Sequence, residues 1–172
     1  VSFETTAPER GAHLYWLAPK HLRGGLDPMS RQFGGQLLAL DGATTSEADA
    51  KRYSFLHDGA AYHASLPIAV KARTLAFQLA SSAPIAGYKV QLRSTEPRGN
   101  WPKRIALDLS ANGTVWTQVA SQQLEATLAP QIFSLAKPFV ATHARWRLDG
   151  CQGDADCKSF ALSDIGQRKA LA

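Results

Sequence analysis

The residues best suited to chemistry stand together in Pro97-Arg98-Gly99-Asn100-Trp101-Pro102-Lys103-Arg104. Arg and Asn offer several donors or acceptors at fixed angles. Trp offers a flat apolar face. A sugar needs both, polar partners for its hydroxyls and a ring for its C–H patches. Arg98, Asn100 and Trp101 are therefore candidate ligand contacts. A second reading stands beside this one, in which Trp101-Pro102 packs under its own loop and Arg98 is merely solvated. His57 and His63 flank an Asp58-Gly59 turn. A neutral imidazole can hydrogen-bond a hydroxyl, so His63 joins the candidates, although either histidine can equally be structural. Two further Trp residues, Trp116 and Trp146, lie in strand patterns and read as core or half-buried. Arg147 reads as a brace for a sandwich or a strand edge.

Catalytic patterns are missing. The chain has no G-x-S-x-G, no H-E-x-x-H and no P-loop ending in Gly-Lys-Ser/Thr. Asp154 and Asp156 lie two apart, but inside the Cys151–Cys157 loop (CQGDADC) they read as solvated or cation-binding. Those two cysteines are the chain's only ones. A disulfide closing this small loop is the first reading and two free thiols the alternative. A zinc site is disfavoured, since no His lies nearby. The disulfide would place the chain in an oxidising, extracytoplasmic compartment.

Such residues need a rigid frame. Tyr88, Val90 and Leu92 alternate with polar neighbours, and so do Ile105, Leu107 and Leu109. Period two puts one side of each strand in a core and the other in water. Residues 94–104 form the long loop between these strands. Asn112-Gly113, ahead of residues 115–119, predicts a tight hairpin with a primed turn. Elsewhere, 36–41 reads as a strand and 43–52 as one or two helical turns. Residues 54–63 read as a strand end, an Asp-Gly turn and a loop. Leu75, Phe77 and Leu79 mark a strand over 74–79, followed by a turn at 81–84. Residues 131–135 read as a strand punctuated by Pro138. Ala144, Trp146 and Leu148 mark a strand over 143–148. Residues 160–165 are a last short strand and 167–172 a polar tail. Short alternating strands with turn signals, and no alternating helical pattern, predict an all-β sandwich rather than an α/β fold.

The chain has 172 residues, enough for one domain with a sizeable core. It opens VSFETTAPERG, without a basic start or an apolar h-region, and reads as a mature product or an excised domain. The net charge of +5 allows an anionic partner. The basic residues are scattered, with concentrations only near 98–104 and 145–147, so most read as a solvated face. Neither nucleic acid nor a membrane surface is the expected partner.

Four segments together resemble a known family. Phe55-Leu56-His57-Asp58-Gly59 with Tyr62-His63-Ala64-Ser65 is similar to a "DG…W-S" signature, with Tyr62 where Trp is frequent. Pro97-Arg98-Gly99-Asn100-Trp101-Pro102-Lys103 resembles a loop written "gRDPksw". Leu109-Ser110-Ala111-Asn112-Gly113-Thr114-Val115-Trp116 resembles "gSnDGxxW". Ala144-Arg145-Trp146-Arg147-Leu148 with Ala161-Leu162-Ser163-Asp164-Ile165 resembles "ARyvRl…laEi". The order and spacing resemble the coagulation factor 5/8 type C, or discoidin, family. The closer likeness is to its bacterial branch overlapping carbohydrate-binding module family 32. The resemblance covers about residues 36–168.

It implies a jelly-roll, galactose-binding-domain-like β-sandwich, with ligands held by loops at one end. It also implies a structural calcium ion at positions matching Asp58 and Asp164, the latter replacing the usual Glu. Calcium takes several oxygen ligands, which suits carboxylates. The expected organisation is an N-terminal extension, residues 1–35, packed on a sandwich of residues 36–172. The expected function is a non-catalytic bacterial module that binds a glycan or cell-surface polysaccharide through His63, Arg98, Asn100 and Trp101. On this reading Trp101→Ala weakens sugar binding without unfolding the domain. The alternative is an adhesion or assembly domain for a protein or anionic surface. An enzyme on the same scaffold ranks third, since fold does not fix function.

Overall fold

A computed structural model describes residues 27–57, 66–67, 72–92, 100–153, 159–160 and 162–170. The strands are β1 (Gln36–Leu40), β2 (Ala43–Thr44), β3 (Leu66–Pro67), β4 (Ala72–Leu92) and β5 (Pro102–Ser110). They continue with β6 (Thr117–Gln123), β7 (Gln131–Cys151), β8 (Ser159–Phe160) and β9 (Leu162–Lys169). One short helix, α1 (Glu47–Arg52), is capped by the Ser46 hydroxyl, which accepts from the Asp49 amide at 3.1 Å.

Two long strands organise the sandwich. β4 and β7 pair antiparallel along two stretches: residues 72–78 with 143–149, and 83–90 with 131–141. Between Gln78 and Ala83 the register slips, and both strands pass from one layer to the other. One layer runs β2-β1-β4-β7-β5-β6. In the other, the second stretch of β4 lies between β7 and β9. Tyr88 of the second layer meets Trp146 of the first edge-on, with ring centroids 5.6 Å apart. β3 and β8 form a separate two-stranded ladder.

The alternation expected from sequence fills this core. Leu75, Phe77, Tyr88, Val90, Leu92, Ile105, Leu107, Leu109, Ala144, Trp146 and Leu148 are all buried. Within β4 the buried hydrophobic set is odd-numbered up to Ile85 and even-numbered from Tyr88. The bulge between Ile85 and Gly87 inserts the extra residue that changes the phase.

Several local expectations are corrected. Residues 81–84 do not end a strand, because the chain bends there and continues as β4. Pro138 does not end one either. It falls in the stretch of β7 between Ser134 and Phe139 that skips β4, where a missing N–H costs no ladder bond. Residues 167–169 belong to β9 rather than to a polar tail. Residues 54–57 form a 3-10 turn, not a strand end.

The 112–113 turn is wider than two residues. The last β5–β6 pair is Leu109 with Thr117, and Asn112 is not left-handed: Asp41 is the one described non-glycine residue with positive φ. Asn112 organises the loop through its side chain, whose oxygen accepts from the Thr114 and Val115 amides at 2.9 and 3.0 Å. Gly113 has φ +78°, and a Cβ there would sit 3.0 Å from the His143 ring. The tight primed turn is instead Asp41-Gly42, with φ of 50° and 84°, joining β1 to β2.

The described part of the N-terminal stretch, residues 27–35, enters the core. Met29 is buried, and its sulfur accepts from the Trp146 indole N–H at 3.0 Å. Its carbonyl lies 2.9 Å from His57 Nδ1. Gly35 makes this approach possible, since a Cβ there would fall 2.0 Å from the Met29 oxygen.

Burial pushes the Tyr88 phenol above its ordinary value of 10.0. The folded state thus holds this proton more tightly than the unfolded chain does. Tyr88's contribution to stability is complete below pH 10 and is lost as pH rises through the folded-state value. The melting temperature is expected to fall above about pH 10, and Tyr88→Phe to fall less over the same range. Equal alkaline losses in both proteins would contradict this assignment.

Candidate functional site

The strand ends define one loop-bearing rim. Pro102 opens β5 opposite Cys151, which closes β7. The Gln152 amide donates to the Trp101 carbonyl at 2.9 Å. The Gln152 side chain donates to the Leu124 carbonyl at 2.8 Å and to the Pro102 carbonyl at 3.3 Å. On the other side, Leu92 pairs with Leu162, and Leu66 pairs with Phe160. The described chain leaves this end at Leu92 and Gly153 and returns to it at Asn100 and Ser159. Strand ends gathered on a fixed frame are a common place for a binding surface.

The sequence candidates divide on this frame. Asn100 is half-buried and sits on the rim. Trp101 is 2 % exposed and belongs to the core. Its ring therefore has no open face for a sugar and instead supports the rim from below. His63, Arg98, Asp58 and Cys157 lie outside the described residues. Asp164 holds a register position in β9 opposite Gln91. Among the described residues no group of three or more His, Cys, Asp or Glu is placed to hold a metal ion. The described residues alone thus do not make a calcium site. Cys151 is disulfide-bonded, and the chain contains one other cysteine, Cys157.

The residues read as structural have structural partners. His57 is buried, with its ring edge-on to Phe77 at 5.0 Å. Trp146 is fully buried and Trp116 half-buried. Arg147 braces three strands, donating to Asp108 of β5 at 2.9 Å and to Gln118 of β6.

Sequence reasoning missed the centre of that brace. Asp108 is 2 % exposed and also accepts from Arg145 Nε and its terminal nitrogen, each at 2.9 Å. Arg145 in turn lies over the Trp116 ring, 4.6 Å from its centroid. The signal was present in the period. Arg145 and Arg147 lie two apart on one face of β7, opposite the polar phase of β5. Two guanidiniums on one carboxylate leave a net positive charge on this sheet face.

A cleft of about 440 Å³ lies away from the rim, between residues 31–37 and α1. Arg31, Gln36, Glu47, Lys51 and His57 line it. Gly34 is packed close to Ala80, in the bend of β4, which places this cleft towards the opposite end of the sandwich.

No family model matches the chain. No curated protein matches it in sequence either. Solved structures do match in fold. The family 32 carbohydrate-binding module of Streptococcus pneumoniae EndoD aligns with TM-score 0.66 and 10% identity, covering 84% of this chain and 99% of that one. An F5/8 type C domain from Bacteroides fragilis aligns with TM-score 0.59 and 14% identity, covering 86% and 99%. The family 32 module of Clostridium perfringens NanJ, solved with galactose, aligns with TM-score 0.51 and 15% identity, covering 77% and 98%. Allantoicase also aligns, with TM-score 0.60 and 14% identity, and this chain spans 43% of that one. The fold is thus shared mainly with binding modules, but with an enzyme too. The chain has the antiparallel β-sandwich fold of family 32 carbohydrate-binding modules and F5/8 type C domains.

Proposed function

We propose that this chain is a non-catalytic glycan-binding module whose ligand is held at the rim around Asn100. The observation that carries the reading is the gathering of the strand ends Leu92, Pro102, Cys151 and Leu162 at one end of the sandwich. In two proteins of this fold the ligands are galactose and GalNAc-β-1,3-galactose, so the scaffold can present a sugar site. On this reading His63 and Arg98 contact the ligand, and Trp101 acts beneath the rim. A calcium ion held through Asp58 and Asp164 and an extracytoplasmic location complete the reading. The disulfide at Cys151 favours that location.

The Arg145–Asp108–Arg147 face favours a second reading, attraction to an anionic partner. Retention on immobilised polysaccharide at low and raised salt separates the two. Exposed charges are screened over about 8–10 Å near physiological salt. The glycan reading expects salt-insensitive retention, competed by free sugar and about tenfold weaker in Asn100→Ala. That is the effect of losing one hydrogen bond of about 1.4 kcal/mol. Retention that collapses with salt and ignores free sugar would favour the charged face instead.

A further inference from the structure

Gln167 sits in β9 opposite Tyr88 and is 4 % exposed. Neither its Oε1 nor its Nε2 has a hydrogen-bond partner. Buried amides are almost always paired, so a wholly unpaired one asks for a partner beyond the protein. Gln167 lines a pocket of about 210 Å³ with Asp27, Tyr88, Lys89, Ile132 and Arg168. At about 30 Å³ for each water, that space corresponds to about seven waters or one sugar ring.

The pocket is built rather than incidental. Asp27 accepts from the Gln167 amide at 3.1 Å and from the Met29 amide at 3.0 Å. Its other carboxylate oxygen lies where a side chain on residue 166 would be: a Cβ on Gly166 would sit 2.6 Å from it. Tyr88 also lines the pocket, and a neutral phenol can both donate and accept. Ile132, 68 % exposed, gives an apolar wall at the mouth.

The lining selects a ligand class. The lining carries both signs of charge, Asp27 against Lys89 and Arg168, so the group left to be satisfied is the uncharged Gln167 amide, one acceptor beside one donor. A neutral molecule with adjacent hydroxyls matches it, since each hydroxyl both donates and accepts. Oε1 and Nε2 of one amide can pair with two such neighbours. We propose that this pocket is a second binding site, distinct from the loop rim, for a neutral polyol the size of one pyranose ring.

The test is a solution NMR titration of the whole chain with galactose, N-acetylgalactosamine, glucose and mannose. The Gln167 side-chain NH₂ signal is identified by its loss in Gln167→Leu. The proposal expects that signal to shift saturably with at least one sugar, and to do so equally in Asn100→Ala. It expects Ile132→Ala, at an exposed position, to weaken the effect about tenfold. It also expects Gln167→Leu to melt at a higher temperature in sugar-free buffer, because an unpaired buried amide has been removed. A Gln167 signal unmoved by every sugar would overturn the proposal and leave a solvent-filled pocket, whether or not the rim binds. Shifts at Gln167 that vanish in Asn100→Ala would overturn it as well, since they would then report on the rim.

Discussion

Trp101→Ala is expected to destabilise the domain by about 3–5 kcal/mol, the range for truncating a large buried aromatic. Trp101 is among the largest fully buried side chains. Its carbonyl holds Gln152, whose side chain ties Pro102 to Leu124. The substitution leaves a cavity directly beneath the rim. Denaturant melts should show a lower midpoint with an unchanged slope. In thermal melts the loss should reach about 10 °C, at about 2–4 °C per kcal/mol for a chain of this size. An unchanged midpoint would mean that the indole is not packed as described. Burial therefore reverses the expectation drawn from sequence that this variant weakens sugar binding while the fold stays intact. Loss of binding in Trp101→Ala would follow from loss of the platform, so Asn100→Ala is the variant that isolates contact from support.

The second large effect is expected at Asp108. Its buried carboxylate receives charge-assisted bonds from Arg145 and Arg147, and Arg147 continues to Gln118. Removing one partner of a buried ion pair costs about 3–5 kcal/mol when the other is left buried. Here Arg145 and Arg147 are 34 % and 43 % exposed, so water recovers part of the loss. Asp108→Ala is expected to cost about 2–3 kcal/mol, within the range for a lost set of charge-assisted hydrogen bonds. Arg147→Ala should cost about 1 kcal/mol or less, because it is the more exposed partner and Arg145 remains on the carboxylate. Equilibrium unfolding of both variants checks the order. A larger loss in Arg147→Ala would show that the arginine, not the buried acid, organises the brace.

Much of the frame was legible because alternation is a property of the sequence itself. Leu75–Phe77, Ile105–Leu107–Leu109 and Ala144–Trp146–Leu148 point inward wherever the strands go. The bends were not legible. Residues 79–82 and 135–138 contain Ser and Pro, which read as turns. Yet in long paired strands they serve as bulges, and only the partner strand shows that. The hairpin signal misled for a related reason. Asn112 turns the chain through side-chain bonds rather than through positive φ, whereas Asp41-Gly42 makes the tight turn. Gly35 and Gly166 owe their identities to Met29 and Asp27, contacts across the chain that no local pattern reports. The role of Trp101 was not legible, because whether an indole faces solvent or core depends on which way β5 begins.

Glycan binding at the rim is read most directly by a glycan-array screen of the purified chain, with calcium and with chelator. A reproducible hit is expected, competed by the free sugar and weakened in Asn100→Ala at unchanged melting temperature. Loss of that hit in chelator would bring Asp58 and Asp164 into the site. A blank array from a cooperatively folded protein would overturn glycan binding at the rim and leave the charged face of Arg145 and Arg147 as the binding surface to pursue.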